Sequence, residues 1–147
     1  MDELSAWLTL ARAPGLFAAT LTSLLARFES AATLVSSSRA ALQAAGAGPA
    51  LIDYLQRVTP PDIEHRWLDH DRHYFIACTN AEYPQLLREL PDAPLGLFVR
   101  GDPALLTMPQ LAMVGSRNPT PGGRDNARSF AAHLGECGVT VTSGLMK

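Results

Sequence analysis

Residues 111–124 constrain the fold of this 147-residue chain more than any other segment. They read LAMVGSRNPTPGGR: an apolar run stops at a Gly-Ser-Arg turn, and a Thr-Pro pair with a double glycine follows. A short apolar run bounded by turn residues is typical of a buried parallel strand. Thr120 can cap a following helix. Pro121 suits the first turn of that helix, because backbone N–H groups there have no acceptor within the helix and proline lacks an N–H. The segment therefore predicts a strand, a tight turn and a helix.

The turn at residues 115–117 has the features of an anion site. Its backbone N–H groups and the N-terminus of the predicted helix lie beside Arg117, and such a concavity prefers a phosphate. The pattern is neither the G-x-G-x-x-G fingerprint nor a Walker A loop, which ends in Gly-Lys-Ser/Thr. Two interpretations stay open on shape alone: a phosphate loop, or a βα turn that needs glycine only for its backbone angles.

Composition limits the classes of protein that fit. With 47% hydrophobic and 18% charged residues, the chain is predicted to be globular and soluble. Its net charge of -2 excludes a generally basic nucleic-acid binder, so any nucleic-acid site must be a local patch. The first residues are acidic rather than signal-like, and no apolar run approaches the roughly 18 residues that span a bilayer. We expect a cytoplasmic protein with no membrane partner, whose Cys78 and Cys137 are free, buried thiols.

Residues 1–72 predict an all-α domain. Apolar residues recur there at helical spacing, with Pro, Gly and Ser between the segments. The predicted helices cover residues 4–12, 17–28, 30–35, 39–45, 50–58 and 62–70. Gly46-Ala47-Gly48 resembles the turn of a helix-hairpin-helix unit, whose amides can hold a DNA phosphate. We favour a plain corner between two helices, with Gly46 as the helix stop, because no Lys or Arg flanks the turn.

The period of the pattern changes at His73, and residues 73–147 predict an α/β domain. Strands are predicted at residues 74–78, 95–100, 111–114 and 139–142, with a helix over 123–137. Strands that alternate with helices predict a parallel sheet. In such sheets ligands bind beyond the carboxyl ends of the strands, where residues 115–117 and the Ser143-Gly144 pair lie. We therefore expect these two loops to face one ligand.

Four motifs occur in order in the second half of the chain. They are Tyr83-Pro84 with Leu86-Leu87, residues 94–102 from Pro-Leu to Gly-Asp, residues 112–117 (AMVGSR) with Thr120 and Gly123, and Ser143-Gly144-Leu145. Together they resemble the DNA-processing protein A (DprA/Smf) family over roughly residues 75–147. The helical segment resembles the SAM-like or helix-hairpin-helix domain that precedes that core. The resemblance implies a Rossmann-like fold that binds single-stranded DNA, protects it and loads the RecA recombinase during natural transformation, with no enzymatic activity, cofactor or metal.

The resemblance also implies which residues hold DNA phosphate. Gly115, Ser116 and Arg117 form the phosphate-binding turn, with Arg117 pairing a phosphate, and Ser143 and Gly144 line the same pocket. To these we add the predicted cap and first turn of the following helix. The added residues are Thr120, Gly123 and Arg124.

Other basic and aromatic residues are weaker candidates. Arg128 lies one turn after Arg124 on the predicted helix, and we interpret it as part of an exposed helical face. Arg100 and Lys147 are weaker still. The aromatic side chains able to stack on bases are Tyr83, Phe98, Trp7 and Trp67. Core packing is favoured for the two tryptophans, because both lie at helical spacing with aliphatic residues.

The sequence departs from the family at Met146-Lys147. The family continues past Ser-Gly-Leu with Ala-Arg-Gly-Ile-Asp, whereas here the chain stops. We therefore expect a truncated Rossmann-like core, and function inferred for the full family can exceed what this chain does. The homodimer implied for the family is in doubt here, because the surface that the family uses lies beyond this point.

Two other classes of function compete. Residues 121–123 (Pro-Gly-Gly) partly echo the P-G-G-x-G-T-x-x-E motif of Rossmann-type nucleotide phosphohydrolases of the lysine-decarboxylase-like family. However, Arg-Asp follows at residues 124–125 in place of the catalytic part. The third interpretation is an interaction module whose helical domain binds a protein partner. No Ser-His-Asp, Cys-His or paired-carboxylate set is apparent, and His65, His70 and His73 predict a solvated polar stretch rather than a metal site.

Overall fold

The computed structural model describes residues 1–144. Along that part of the chain, helices and strands follow in the predicted order, and the α/β class is confirmed. The helices are α1 (Glu3–Ala11), α2 (Ala18–Phe28), α3 (Ala31–Val35), α4 (Arg39–Ala44), α5 (Pro49–Leu55), α6 (Asp62–Leu68), α7 (Gln85–Arg88) and α8 (Pro121–Glu136). The strands are β1 (His73–Ala77), β2 (Gly96–Arg100), β3 (Gln110–Ala112) and β4 (Thr140–Thr142), and a 3₁₀ turn covers Pro103–Thr107. No helix within these residues is long and apolar enough to cross a membrane.

Contacts between residues divide the chain into two compact units, Met1–Pro103 and Ala104–Lys147. The first unit contains α1 to α7 with β1 and β2, and the second contains β3, α8 and β4. The domain boundary that we predicted after residue 72 marks where the helical pattern gives way to strands, and it stays a prediction.

The helices of the first unit begin at residues that cap them. Asp2, Ser30 and Ser38 each accept a hydrogen bond from a backbone N–H in the first turn of α1, α3 and α4 respectively. The core beneath them includes the fully buried side chains of Leu8, Leu10, Leu21, Leu24, Leu34, Leu42 and Ile52. Trp7 is buried in this core, as predicted, and its indole N–H donates to the Glu3 carboxylate at 3.0 Å. The same carboxylate accepts the first two backbone N–H groups of α3, which ties the start of α1 to the start of α3.

The turn between α4 and α5 is a corner in which Gly46 ends the helix, as predicted. Gly46 has a left-handed backbone (φ +86°), which glycine adopts without steric cost. The N–H of Ala47 then donates to the carbonyl of Leu42 at 3.0 Å, closing the end of α4. Gly48 caps α5 and Pro49 occupies its first turn. The phosphate-binding interpretation of this turn stays an untested alternative.

β1 and β2 form an antiparallel hairpin, so the prediction of a parallel sheet is wrong for these two strands. For β2 to run parallel to β1, the connection between them must carry the chain back along the full length of the strand. The four residues of α7 span about 6 Å, whereas a five-residue strand spans about 17 Å. The connection instead folds on itself, because the N–H of Cys78 donates to Leu95 at 2.9 Å and the buried Tyr83 hydroxyl donates to the Pro94 carbonyl at 2.8 Å.

β3 and β4 form a parallel pair joined by α8, so the predicted βαβ arrangement is confirmed for these elements. The 16 residues of α8 are long enough to return the chain to the start of the sheet. The burial predicted for β3 is wrong: its three residues are exposed, and Phe130 on α8 is 66% exposed. Two strands and one helix, as described within residues 104–144, enclose too little apolar surface to bury either element.

The two cysteines differ in environment. Cys78 is buried, as predicted, and burial raises the pKa of its thiol. Cys137 is exposed, so the prediction that both thiols are buried is wrong. Its position explains the difference, because Cys137 caps the C-terminus of α8, a helix that buries none of its residues.

Candidate functional site

The two loops predicted to face one ligand leave the same edge of the β3–β4 sheet. Ala112 lies opposite Thr142 in the parallel register, and the N–H of Met113 donates to the Thr142 carbonyl at 2.8 Å. This bond extends the ladder by one residue, after which both chains leave the sheet. Residues 113–120 then lead into α8, and Ser143 begins the second loop. The carboxyl ends of the strands therefore place the two loops side by side, as predicted.

The N-terminus of α8 is organised by the predicted cap. The Thr120 hydroxyl oxygen accepts the N–H of Gly123 at 3.1 Å, and the Thr120 carbonyl accepts the N–H of Arg124 at 3.0 Å. Pro121 occupies the first turn. Glycine at position 123 matters because an added Cβ would lie 3.2 Å from the Thr120 hydroxyl oxygen and crowd this bond. The cap fixes the direction in which the first helical turn presents its backbone.

Two overlapping cavities lie against these loops. The larger has a volume of about 720 Å³, and the smaller has a volume of about 460 Å³. Each residue of the predicted site lines at least one of them: Gly115, Ser116, Arg117, Thr120, Gly123, Arg124, Ser143 and Gly144. The structure thus brings together residues that are up to 29 positions apart in the sequence.

Arginine supplies the charge around the cavities. Arg117 lines the smaller cavity and Arg124 lines both. Neither arginine has an ion-pair partner within residues 1–144. Arg128 lines the larger cavity, and its contact with Asp125 is long, at 3.9 Å, with both side chains 74% exposed. Such a solvent-exposed pair holds an arginine weakly. The cationic side chains at the cavities are therefore available to an anion.

Backbone N–H groups of the turn add to the positive charge that the arginines supply around the cavities. The amides of Gly115, Ser116 and Arg117 donate to no acceptor within residues 1–144. Ser116 contributes to the shape of the turn, because its hydroxyl oxygen accepts the N–H of Asn118 at 3.2 Å. Exposed amides, a helix N-terminus and unpaired guanidinium groups all favour a negative charge at this position.

The lining of the cavities combines polar loop residues with an apolar wall. No Asp, Glu, His or Cys lines either cavity within the described residues. The larger cavity is mainly apolar, through Met113, Val141, Ala127 and Ala131. These four were not predicted as site residues, although the helical spacing of Ala127 and Ala131 places them on the face of α8 that meets the sheet.

The remaining candidates lie elsewhere. Arg100 is on β2 in the first unit, and Lys147 lies outside the described residues. Tyr83 is buried and belongs to the connection between β1 and β2. His65 and His73 hydrogen-bond to the Ser5 hydroxyl and the Trp67 carbonyl respectively, and His70 lies beside His73. No group of three or more His, Cys, Asp or Glu side chains in residues 1–144 is placed to hold a metal ion.

A parallel βαβ unit with an arginine-flanked loop at the carboxyl end of its strands places the second unit among the α/β proteins. Comparison with known proteins specifies the family. The model of the DNA recombination-mediator protein A family matches residues 74–147. The chain belongs to that family, and the resemblance predicted from its motifs is confirmed.

Two curated relatives are similar to this chain. Protein Smf of Escherichia coli (strain K12) is 40% identical over 81 residues, which cover 55% of this chain and 22% of that protein. DNA processing protein DprA of Bacillus subtilis (strain 168) is 32% identical over 71 residues, covering 48% of this chain and 24% of that protein. The matched segment thus spans less than a quarter of the length of either relative.

Proposed function

We propose that this chain binds single-stranded DNA by its phosphate backbone at the loop formed by residues 115–117 and the N-terminus of α8. The observation that carries the proposal is the convergence of Arg117, Arg124 and the free amides of the turn on cavities that no acidic side chain lines within residues 1–144. A guanidinium group pairs a phosphate through two parallel hydrogen bonds, which a lysine cannot do. Contacts of this kind hold the strand without reading its sequence.

The names of the relatives support a biological role. One is called a DNA processing protein, and the family is described as a recombination mediator. We propose that the chain takes part in natural transformation in the cytoplasm, where it protects incoming single strands and loads the RecA recombinase onto them. In this role the protein acts by binding rather than by catalysis.

Fluorescence anisotropy with labelled oligo-dT tests the proposal. The native chain, Arg117→Gln and Arg57→Gln are titrated at several salt concentrations. Arg57 is the matched control, because it is an exposed arginine of the first unit and its replacement removes the same charge. We expect Arg117→Gln to weaken binding about tenfold or more. The slope of the logarithm of the affinity against the logarithm of the salt concentration should fall by the equivalent of about one phosphate contact. Arg57→Gln should change both quantities little.

Equal losses in the two variants would refute the proposal, because they would show that only net charge matters. Binding that is unchanged in Arg117→Gln would refute it as well. Circular dichroism of each variant establishes that the fold is retained, which the exposure of both side chains favours.

A further inference from the structure

A row of aromatic side chains lies on one face of the β1–β2 hairpin. Because side chains alternate along a strand, the register places His73 and Arg100, and Phe75 and Phe98, on one face. The other face includes Ile76, which is 2% exposed and belongs to the core. We call the face that carries Phe75 and Phe98, together with Trp67 from α6, the aromatic face.

Ring contacts hold the aromatic face together. The Trp67 indole stacks on the His73 ring with centroids 4.0 Å apart, and Phe98 meets Trp67 edge-on at 5.4 Å. Phe98 also meets Phe75 at 5.1 Å. The His73 ring is oriented by its Nδ1–H, which donates to the Trp67 carbonyl at 2.6 Å. The face is therefore preorganised, and little conformational entropy would be lost when a flat ligand stacks on it.

Phe98 is the accessible member of the row. It is 48% exposed, although two rings contact it and a phenylalanine of a closed core would be covered. Trp67 and Phe75 are half-buried. A half-exposed ring braced by two others offers a π-face or edge to a planar ligand.

Positive charge lies at one end of the aromatic face. Arg100 is exposed and lies opposite His73 in the register. Arg72 is also exposed, and its carbonyl accepts the N–H of Gly101 at 2.9 Å, which holds it beside the end of β2. Asp69, Asp71 and Asp102 lie close to these arginines in the sequence, so a phosphate would be held by direct pairing with a guanidinium group rather than by net positive charge.

We propose that the aromatic face is a second contact surface for single-stranded nucleic acid, on which a base stacks against Phe98 and an adjacent phosphate pairs with Arg100. Aromatic platforms flanked by arginine bind single strands in this way, with little preference for sequence. The proposal takes its ligand class from the function proposed above, but it concerns residues of the first unit and does not require the loop at residues 115–117.

Intrinsic tryptophan fluorescence during titration of the 147-residue chain with oligo-dT tests this surface. The chain has two tryptophans, and Trp7 is buried in the helical core while Trp67 contacts Phe98. We expect oligo-dT to quench the emission of the native chain, and Trp67→Phe to abolish that quenching. We further expect Phe98→Leu, which keeps an apolar side chain over Trp67 and Phe75, to weaken binding about fivefold. Tyr74→Leu is the matched control, because Tyr74 is an exposed aromatic residue on the opposite face of the same hairpin.

The outcomes separate this proposal from the function proposed for the loop. Anisotropy that reports binding sensitive to Arg117→Gln, without quenching and without an effect of Phe98→Leu, would overturn the second surface and leave the loop in place. Quenching that persists in Arg117→Gln and is lost in Arg100→Gln and Phe98→Leu would support the surface even where the loop fails. Equal effects of Phe98→Leu and Tyr74→Leu would also overturn the proposal.

Discussion

The Thr120 cap provides the sharpest quantitative prediction about the site. Its hydroxyl oxygen accepts the N–H of Gly123 at 3.1 Å, the single side-chain bond that satisfies the first turn of α8 within the described residues. Replacing a threonine cap by alanine costs about 1 kcal/mol, and serine keeps the acceptor. The helix is exposed, so no packing loss adds to this value. We therefore expect Thr120→Ala to lower the local stability of α8 by about 1 kcal/mol and Thr120→Ser by much less.

Amide hydrogen exchange measured by NMR reports this stability residue by residue. A change of about 1 kcal/mol in the opening free energy corresponds to about fivefold faster exchange in the first turns of α8. The same variant should weaken oligo-dT binding severalfold, because the cap orients the amides that face the cavities. Exchange that is unchanged in Thr120→Ala, or accelerated equally in Thr120→Ser, would refute the role assigned to the hydroxyl group.

Three further predictions concern the first unit and the cysteines. Tyr83→Phe removes the buried hydroxyl bond without leaving a large cavity, so the free energy of unfolding by urea should fall by about 1 kcal/mol. An aromatic disulfide reagent should label the exposed Cys137 rapidly and Cys78 only on unfolding, because burial raises the pKa of the Cys78 thiol; equal rates would contradict this. Hydrogen bonds from Ser5 lower the pKa of Asp2 below its usual 3.8. The stability that they contribute is therefore present above that pH and lost as the pH falls through the lower folded-state pKa, and Asp2→Asn should remove this pH dependence in urea titrations.

Local signals in the sequence predicted most of the elements. Ser30, Ser38 and Thr120 cap helices because a short side-chain oxygen can satisfy a free N–H nearby, and such bonds depend only on residues three positions apart. Gly46 ends α4 for an equally local reason, its left-handed backbone. The Gly-Ser-Arg turn was located for the same reason, since it interrupts one apolar run and precedes a capped helix.

The predictions that were wrong concern features that depend on distant parts of the chain. The direction of β2 relative to β1 is set by how the 78–95 connection folds around Tyr83, and no pattern within either strand encodes it. The apolar composition of β3 predicts burial. Burial, however, requires other layers of secondary structure packed on the strand, and a two-stranded sheet with one helix offers little such cover. The lining residues Met113 and Val141 were missed because apolar residues at strand ends give the same signal as core residues.

The most direct test of the central claim is to titrate the isotope-labelled native chain with oligo-dT and to follow its backbone amide resonances. If the loop binds phosphate, the largest shifts will fall on Gly115, Ser116 and Arg117 and on the first turn of α8, and they will diminish as salt is raised. Binding that shifts amides elsewhere while leaving this loop and the first turn of α8 unchanged would contradict the account.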